Sequence, residues 1–389
     1  MRCSLVNTRP RRQGLTLVEL LVVILIIGTL MAILIPAVSG AIKAARQAQV
    51  TSEMSNLASA LADFRNRYGE YPPSRFYCAE DGNYQVAATD TADIQQLKQR
   101  SLRYLRKFWP RVAITNNGTA PTIGGQGYYD FNGNAINDSK TPGLGPYILQ
   151  GPECLVFFLG GIPKKTGTGG TISFAMMGFG KDPLNPFITE KGTATTNRQA
   201  PLFEFNSARL DDSEGPANDF PSYLDPLGSP ASIQPMTDTS DKRPYAYFCA
   251  YGNNAYDPND YNAAYEIDDS SGATLKRKYY VSFLPSASLP VESAGPNPYT
   301  VSGPIGGTAA AMTSATFQNP QSFQLISSGI DRKWGIGGDY STTTPKLPFN
   351  PTDTSRFFDA GTYITPTPAG NPRLVEQDNL ANFAGGRLE

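Results

Sequence analysis

Residues 11–38 read RRQGLTLVELLVVILIIGTLMAILIPAV. From residue 15 to residue 38 the only charged side chain is that of Glu19, and roughly 20 apolar residues are enough to cross the hydrocarbon core of a bilayer. The residues before this run carry no acidic side chain and four arginines, namely Arg2, Arg9, Arg11 and Arg12. Because a basic flank stays on the cytoplasmic side of the membrane, we expect a single transmembrane helix whose N-terminus is cytoplasmic and whose following body is exported.

Two features separate this run from an ordinary signal peptide or anchor. A secretory signal has an apolar region of roughly 7 to 15 residues and then a small-residue cleavage site, whereas this run is longer and continues without a turn into helical sequence. A carboxylate inside an apolar span also costs on the order of several kcal/mol unless it is paired. Glu19 is therefore a candidate functional residue.

The order Arg11-Arg12-Gln13-Gly14 and then Leu15-Thr16-Leu17-Val18-Glu19 resembles the N-terminus of prepilins, the precursors of type IV pilins and of the pseudopilins of type II secretion. The resemblance implies that a prepilin peptidase and methyltransferase cuts between Gly14 and Leu15 and methylates Leu15. Family members usually carry Phe at the new terminus, so Leu15 departs from the pattern. The resemblance also implies that Glu19 meets the new amine of an adjacent subunit. Pairing within one chain is the alternative, because Leu15 and Glu19 lie one helical turn apart.

Gly28 and Pro36 match the positions at which related subunits weaken this helix inside assembled filaments. Physical reasoning agrees with the resemblance, because Pro36 removes one backbone donor and crowds the carbonyl of Ala32. Gly28 lowers helix propensity by about 1 kcal/mol relative to Ala. We expect the segment between them to be able to bend or melt.

After Pro36 the sequence becomes amphipathic. Apolar residues spaced by fours and threes predict one helical face that packs on the exported body; they are Val50, Met54, Leu57, Leu61, Phe64 and Tyr68. Gly69 and the prolines after it end the helix. The chain is thus divided into a leader of residues 1–14, a transmembrane and assembly helix of residues 15–38, an amphipathic continuation of residues 39–70 and a loop-rich exported body of residues 71–389.

The composition argues against most enzyme classes. The 389 residues include no histidine, which removes the commonest general base and the usual serine and cysteine triads. No nucleophile motif, P-loop or dinucleotide fingerprint is present. The 33 basic and 34 acidic residues leave a net charge of −1, so no basic field predicts a nucleic-acid partner. We expect a non-enzymatic protein.

The four cysteines do not form a zinc module, because they lack Cys-x-x-Cys spacing and no histidine completes a site. They are Cys3, Cys78, Cys154 and Cys249. Removal of a leader that contains Cys3 leaves three, so at most one disulfide can form among them. The sequence does not choose the pair.

The body has the pattern of an α+β fold in which a small antiparallel sheet lies over the apolar face of the long helix. Helices are predicted at residues 90–109 and 152–159, and strands at residues 244–251, 278–284 and 322–328. We expect the basic side chains of the first of these helices to be solvated; they are Lys98, Arg100, Arg103, Arg106 and Lys107. Residues 225–230 and 325–338 resemble parts of the major pseudopilin pattern. The resemblance is interrupted by long insertions, notably residues 74–220, so the chain is similar to an enlarged and divergent major pseudopilin.

Two loops are candidate calcium sites. In related pseudopilins the loop after the last strands can bind calcium, and the resemblance places Asp331 and Asp339 in that region. A second loop offers alternating oxygen ligands at Asp130, Asn132, Asn134 and Asp138, but it lacks the glycine expected after Asn134 and a closing glutamate. Turn formation by Asp and Asn is the alternative explanation for both loops.

The sequence therefore predicts a structural subunit of a type IV pilus-like or type II secretion pseudopilus filament. The expected partners are the prepilin peptidase, other pilin or pseudopilin subunits and the inner-membrane assembly platform. The precursor is expected to be a single-pass protein of a bacterial inner membrane. The rival hypothesis is a signal-anchored exported monomer with a glycan-binding or hydrolytic domain.

Overall fold

A computed structural model describes most of the chain, with gaps in the later body. The described residues are 17–90, 92–141, 145–167, 172–189, 197–212, 219–227, 243–251, 255–256, 267–268, 274–275, 298–302, 316–332, 334, 337–341, 343, 347 and 372–388. The backbone contacts divide the chain into a first unit, which ends at Ala48, and a second unit, which begins at Gln49.

The longest element is helix α1, Leu17–Tyr68. Its part in the second unit buries one face, with Val50, Met54, Leu57, Ala60, Leu61 and Phe64 as the buried residues. The amphipathic continuation is thereby confirmed, and Tyr68 packs against the same apolar core while it stays partly exposed. Gly69 follows the helix with a φ of 82°, a left-handed conformation that glycine adopts without steric cost.

Two further helices pack beside α1 in the second unit. Helix α2 is Ala92–Phe108 and helix α3 is Gly151–Gly160, so both predicted helices are confirmed. The Phe64 ring on α1 lies 5.1 Å from the Phe108 ring on α2 and 5.9 Å from the Phe158 ring on α3. Helix α3 begins with a capping box, in which the backbone N–H of Gln150 donates to Glu153 Oε2 at 2.9 Å.

The main sheet has five strands in the order β16-β15-β13-β7-β8, and all neighbours are antiparallel. The strands are β7 Ala246–Tyr251, β8 Ala255–Tyr256, β13 Phe323–Ser327, β15 Leu380–Ala381 and β16 Gly386–Arg387. Strands β7 and β13 confirm two of the predicted strands, and the third, at residues 278–284, lies outside the described residues.

The other strands form small sheets, most of them two-stranded. Antiparallel pairs join β1 with β2, β3 with β4, β5 with β6 and β9 with β10. Strand β11 lies between β12, which is antiparallel to it, and β14, which is parallel. Their bounds are β1 Phe76–Cys78, β2 Tyr147–Leu149, β3 Pro163–Thr166, β4 Ser173–Met176, β5 Leu210–Asp211, β6 Ser222–Tyr223, β9 Ile267–Asp268, β10 Thr274–Leu275, β11 Tyr299–Ser302, β12 Thr316–Phe317 and β14 Gly338–Asp339. Short 3-10 helices occur at Asp138–Lys140, Ser207–Arg209 and Pro372–Glu376.

The main sheet separates two apolar cores. Tyr247 on β7 and Leu325 on β13 pack in the core that contains the three helices, and Phe248 and Ile326 pack in the other core with Trp334. Successive side chains of a strand point to opposite faces, so neighbouring apolar residues of β7 and of β13 pack in different cores. The α+β architecture predicted from the sequence, with a sheet over the helical face, is confirmed.

Helix α3 lies directly on the main sheet. A Cβ atom at Gly151 would come within 2.0 Å of the carbonyl oxygen of Tyr247, so only glycine lets the helix approach the strand this closely. Helix α3 belongs to residues 74–220, the segment that we interpreted from the sequence as an insertion relative to the major pseudopilin pattern. That segment supplies much of the larger core, with buried Phe76, Phe131 and Phe187 among its residues.

Two details of the body add to the sequence analysis. Lys98 is only 8% exposed and its Nζ lies 2.7 Å from Asp90 Oδ2, so the expectation that the whole basic face of α2 is solvated was wrong at this residue. Arg103, Arg106 and Lys107 are exposed as expected. The three cysteines of the body, Cys78, Cys154 and Cys249, are buried as thiols, so the disulfide that the sequence permitted is absent among these described residues.

Candidate functional site

The first part of α1 exposes a continuous apolar surface. The helix begins at Leu17, and the large apolar side chains between Leu17 and Val38 are 43% to 79% exposed. Glu19 lies in the first turn and is exposed among them. Gly14 and Leu15, the predicted cleavage site, lie outside the described residues.

Gly28 and Pro36 both lie inside α1, and the helix continues across them. A Cβ atom at Gly28 would meet nothing within 4 Å, so no close contact within the chain explains a glycine there. Pro36 deprives the carbonyl of Ala32 of its usual N–H donor, and the Ser39 hydroxyl donates to the carbonyl of Pro36 at 2.9 Å. These observations locate the two helix-weakening residues within the exposed apolar segment, while bending or melting between them stays a prediction.

By length and composition, α1 is the one helix among the described residues that can cross a membrane. None of the residues in its most apolar window is buried within the chain, in contrast to the core helix of a soluble protein. A signal sequence near an N-terminus has the same property, so a further observation is needed to separate the two.

Comparison with known protein families supplies that observation. The model of the prokaryotic N-terminal methylation motif matches residues 9–35. This range includes three of the four leader arginines, Gly14, Leu15, Glu19 and most of the exposed apolar segment. The N-terminus is that of a type IV prepilin-like protein. No curated protein and no solved structure matches the chain.

The prepilin-like N-terminus is consistent with a membrane-anchored, single-pass protein. The leader and Glu19 are the features that distinguish a prepilin from an ordinary anchor, and residues 9–14 of the leader and Glu19 lie in the matched residues. The prepilin-type N-terminus that we predicted from the sequence is therefore confirmed. The match ends at residue 35, so it says nothing about the body of the chain.

A second candidate site lies in the body, in the loop of residues 130–138. The Asp130 carboxylate accepts hydrogen bonds from the backbone N–H groups of Gly133, at 2.8 Å, and Ala135, at 3.0 Å. Asn132 Oδ1 accepts from the N–H of Asn134 at 3.3 Å, and Asn134 Oδ1 accepts from the N–H of Ile136 at 2.8 Å. The loop therefore winds around the alternating oxygen-bearing side chains that the sequence singled out.

Ala135 occupies the place where a calcium loop usually has glycine. Its φ is 62°, a left-handed conformation that costs a non-glycine residue roughly 1 to 2 kcal/mol. The missing glycine had counted against this loop as a calcium site. The structure shows that the chain makes the same sharp turn with alanine.

The loop closes on Asp138. Its Oδ2 accepts from Asn132 Nδ2 at 2.7 Å, from Asn134 Nδ2 at 2.8 Å and from the Tyr147 hydroxyl at 3.0 Å. Its Oδ1 is buried and accepts no hydrogen bond from the described residues. The structure thus brings together all four residues predicted for this loop, Asp130, Asn132, Asn134 and Asp138.

Glu80 was not predicted, and it joins the two ends of the loop. Glu80 Oε1 accepts from the N–H of Phe131 at 3.2 Å, and Oε2 accepts from the N–H of Asp138 at 2.7 Å. Glu80 is 0% exposed, and burial raises the pKa of its carboxyl group well above the ordinary value. Burial likewise raises the pKa of Asp130 to about 7. The position of Glu80 about 50 residues before the loop gave the sequence analysis no signal.

The other candidate loop is less well organised. Asp331 is exposed, and its backbone N–H donates to Asp378 Oδ2 at 3.1 Å. The backbone of Asp339 lies in β14, and its side chain is outside the described residues. No group of three or more Asp, Glu or Cys residues in the described part of the chain has the arrangement of a metal site. Calcium at Asp331 and Asp339 stays a prediction.

The two segments that resemble the pseudopilin pattern meet in the structure. The Ser327 hydroxyl donates to Asp225 Oδ2, and Arg332 Nε donates to the carbonyl of Leu227 at 3.2 Å. Asp225 and Ser327 are both 0% exposed. These contacts hold the end of β13 against residues 225–227 and assign the two segments a structural role.

Proposed function

We propose that this chain is the precursor of a non-enzymatic filament subunit, either of a type IV pilus-like filament or of a secretion pseudopilus. The observation that supports the proposal is the match of residues 9–35 to the N-terminal methylation motif. In this proposal the peptidase cuts between Gly14 and Leu15, methylates Leu15, and leaves a subunit that assembles through its N-terminal helix.

The exposed apolar surface of α1 supports this assignment. Large side chains such as Leu17 and Ile33, 79% and 74% exposed, need a bilayer before assembly and neighbouring helices after it, since apolar surface in water is unfavourable. A filament provides such neighbours. The body would lie on the exported side of a bacterial inner membrane, because the basic leader stays in the cytoplasm.

Within this class we infer a pseudopilin-like subunit, on the basis of residues 225–230 and 325–338. The partners would be the prepilin peptidase, other pilin or pseudopilin subunits and an inner-membrane assembly platform. The zero count of histidine and the absence of a recognisable catalytic motif in the sequence support a non-enzymatic role.

The test is the N-terminus of the mature protein. The full chain is expressed together with a prepilin peptidase, and its intact mass and first residue are determined from purified membranes. We expect a start at Leu15 with one added methyl group. Loss of the leader removes four arginines and no acidic residue, so the side-chain net charge falls from −1 to −5, which isoelectric focusing detects independently.

Gly14→Glu is the variant for this test, because a bulky charged side chain beside the scissile bond should block the cut. Asn7→Glu adds the same charge to the leader away from the cut and serves as the matched control. We expect the first variant to keep the leader and the second to mature normally. A wild-type protein that starts at Met1 in these membranes would refute the filament proposal and favour the signal-anchored monomer.

A further inference from the structure

The loop of residues 130–138 concentrates buried oxygen atoms around one carboxylate. Three donors converge on Asp138 Oδ2, whereas Oδ1 of the same group is buried with no hydrogen bond. Asp138 is 0% exposed. A buried acceptor without a donor is unfavourable, and more so if it is charged, so this oxygen is expected to have a ligand.

The carboxyl groups around the loop have no basic partner among the described residues. Asp130, Asp138 and Glu80 are each 0% exposed, and none of them forms an ion pair with a lysine or arginine of the described residues. Arg198 interacts electrostatically with Asp130, but its guanidinium donates to the carbonyls of Gly178 and Ile188. Buried carboxylates are normally paired or bound to a metal.

The donor set identifies the kind of ion. Asp130, Asn132, Asn134 and Asp138 offer carboxylate and amide oxygens, with no sulfur or imidazole, and such oxygen ligands suit calcium. Both oxygens of Glu80 accept hydrogen bonds from backbone N–H groups, those of Phe131 and Asp138. Glu80 therefore holds the two ends of the loop together and is not counted as a ligand.

We propose that residues 130–138 bind one calcium ion through the side chains of Asp130, Asn132, Asn134 and Asp138. The unpartnered Oδ1 of Asp138 is the ligand that the fold leaves free. The Asn132 and Asn134 amides donate N–H groups to Asp138, and their oxygens accept the backbone N–H groups of Asn134 and Ile136. A rotation of each amide exchanges these hydrogen bonds for an oxygen ligand to the ion. The ion offsets the buried negative charge and ties the loop to Glu80 and Tyr147. This site is independent of filament assembly.

The test uses the full chain purified in detergent and stripped with a chelator. Calcium is added up to about 1 mM, the range of extracellular calcium modules, and binding is followed by titration calorimetry and by the melting temperature. We expect one ion per chain and a higher melting temperature with calcium than with chelator, because a ligand that binds only the folded state stabilises it. Magnesium at the same concentration should bind at least tenfold more weakly.

Two variants assign the site. Asp138→Asn removes one charge with little change of shape and should lower calcium affinity at least tenfold. Asn134→Asp adds a carboxylate and should raise the affinity about tenfold, since ligand charge sets the affinity of such loops. Asp182→Asn is the control for a turn-forming side chain: Asp182 accepts a backbone N–H two residues ahead, from Leu184 at 2.9 Å, as Asn132 and Asn134 do, but in a turn outside this loop.

Four results would overturn the proposal. They are wild-type protein that binds no calcium near 1 mM, an Asp138→Asn variant that binds as wild type does, an Asn134→Asp variant with unchanged affinity, and binding that Asp331→Asn abolishes while Asp138→Asn does not. If Asp138→Asn fails to fold, Asn134→Asp still decides the question. None of these measurements depends on whether the chain assembles into filaments.

Discussion

The N-terminal part of α1 and the body differ in two respects, their internal packing and their similarity to known proteins. The apolar side chains of residues 17–38 are exposed. A known motif matches residues 9–35, which include most of this segment. The body from Gln49 onward has two buried apolar cores, yet the chain matches no curated protein and no solved structure. The region without internal packing is thus the one that can be recognised.

This difference has a physical cause. In our proposal the N-terminal segment contacts a peptidase, a bilayer and neighbouring helices, and each of these contacts constrains consecutive residues of the sequence. The body needs only apolar residues of suitable size at core positions, and many sequences meet that requirement. The first region can be changed with little effect on the stability of the body, and the second with little effect on processing.

Glu19→Ala gives the largest effect expected from this comparison. The carboxylate is costly in an apolar span, so its loss should leave membrane insertion and cleavage intact. Incorporation into filaments should nevertheless fall at least tenfold, because the partner for the Leu15 amine of an adjacent subunit is lost. The measurement is the ratio of variant to wild-type subunits in purified filaments after mixed expression, relative to the same ratio in the membrane.

Thr29→Ala is the matched control for Glu19→Ala. Thr29 is a polar residue in the same exposed run, and its hydroxyl only donates to the carbonyl of Ile26 at 2.9 Å. Its loss should leave the ratio unchanged. Equal entry of Glu19→Ala and wild-type subunits into filaments would show that the intersubunit role of the carboxylate is wrong.

The same contrast explains what the sequence could predict. Features encoded by consecutive residues, such as α2, α3, β7 and β13, follow from periodicity and from the glycines and prolines that bound them. Features that depend on distant residues did not follow. Glu80 reaches its loop across about 50 residues, and the buried Lys98 Nζ lies 5.4 Å from the centroid of the Tyr77 ring, which comes from a segment outside α2.

The candidate calcium loop lies between these two cases. Its four oxygen-bearing residues were visible in the sequence, while the left-handed conformation of Ala135 contradicts the local preference of alanine. A rule based on glycine therefore misses this left-handed turn, while calcium binding at the loop stays a prediction. The unpartnered Oδ1 of Asp138 depends on the tertiary structure and had no signal in the sequence.

Phe157→Ala tests whether the body is independent of the N-terminal segment. The ring is 1% exposed and lies 5.1 Å to 6.4 Å from those of Phe76, Phe131, Phe158, Phe179, Phe187 and Phe220. Truncation should reduce the free energy of unfolding by about 3 to 5 kcal/mol, as measured by denaturant titration. Val86→Ala, at a side chain 41% exposed, should change it by less than about 0.5 kcal/mol. Cleavage after Gly14 should be unaffected in both, and a loss of cleavage in Phe157→Ala would contradict the independence of the two regions.

Glu53→Gln probes the polar contact through which the buried face of α1 is held in the body. Glu53 forms an ion pair with Arg209 and accepts from the hydroxyls of Tyr223 and Tyr245, each at 2.7 Å. Burial raises the pKa of both tyrosines, so the hydroxyls stay neutral donors and only the carboxylate balances Arg209. The two charged side chains are 17% and 13% exposed, and loss of one partner from such a pair should cost about 3 kcal/mol, the low end for a buried pair.

Glu70→Gln is the matched control: it breaks a pair with Lys107 whose side chains are 39% and 38% exposed, and exposed pairs contribute at most about 1 kcal/mol. Equal losses of unfolding free energy in the two variants would show that Glu53 is no more than a surface charge, and that apolar packing alone holds this part of α1.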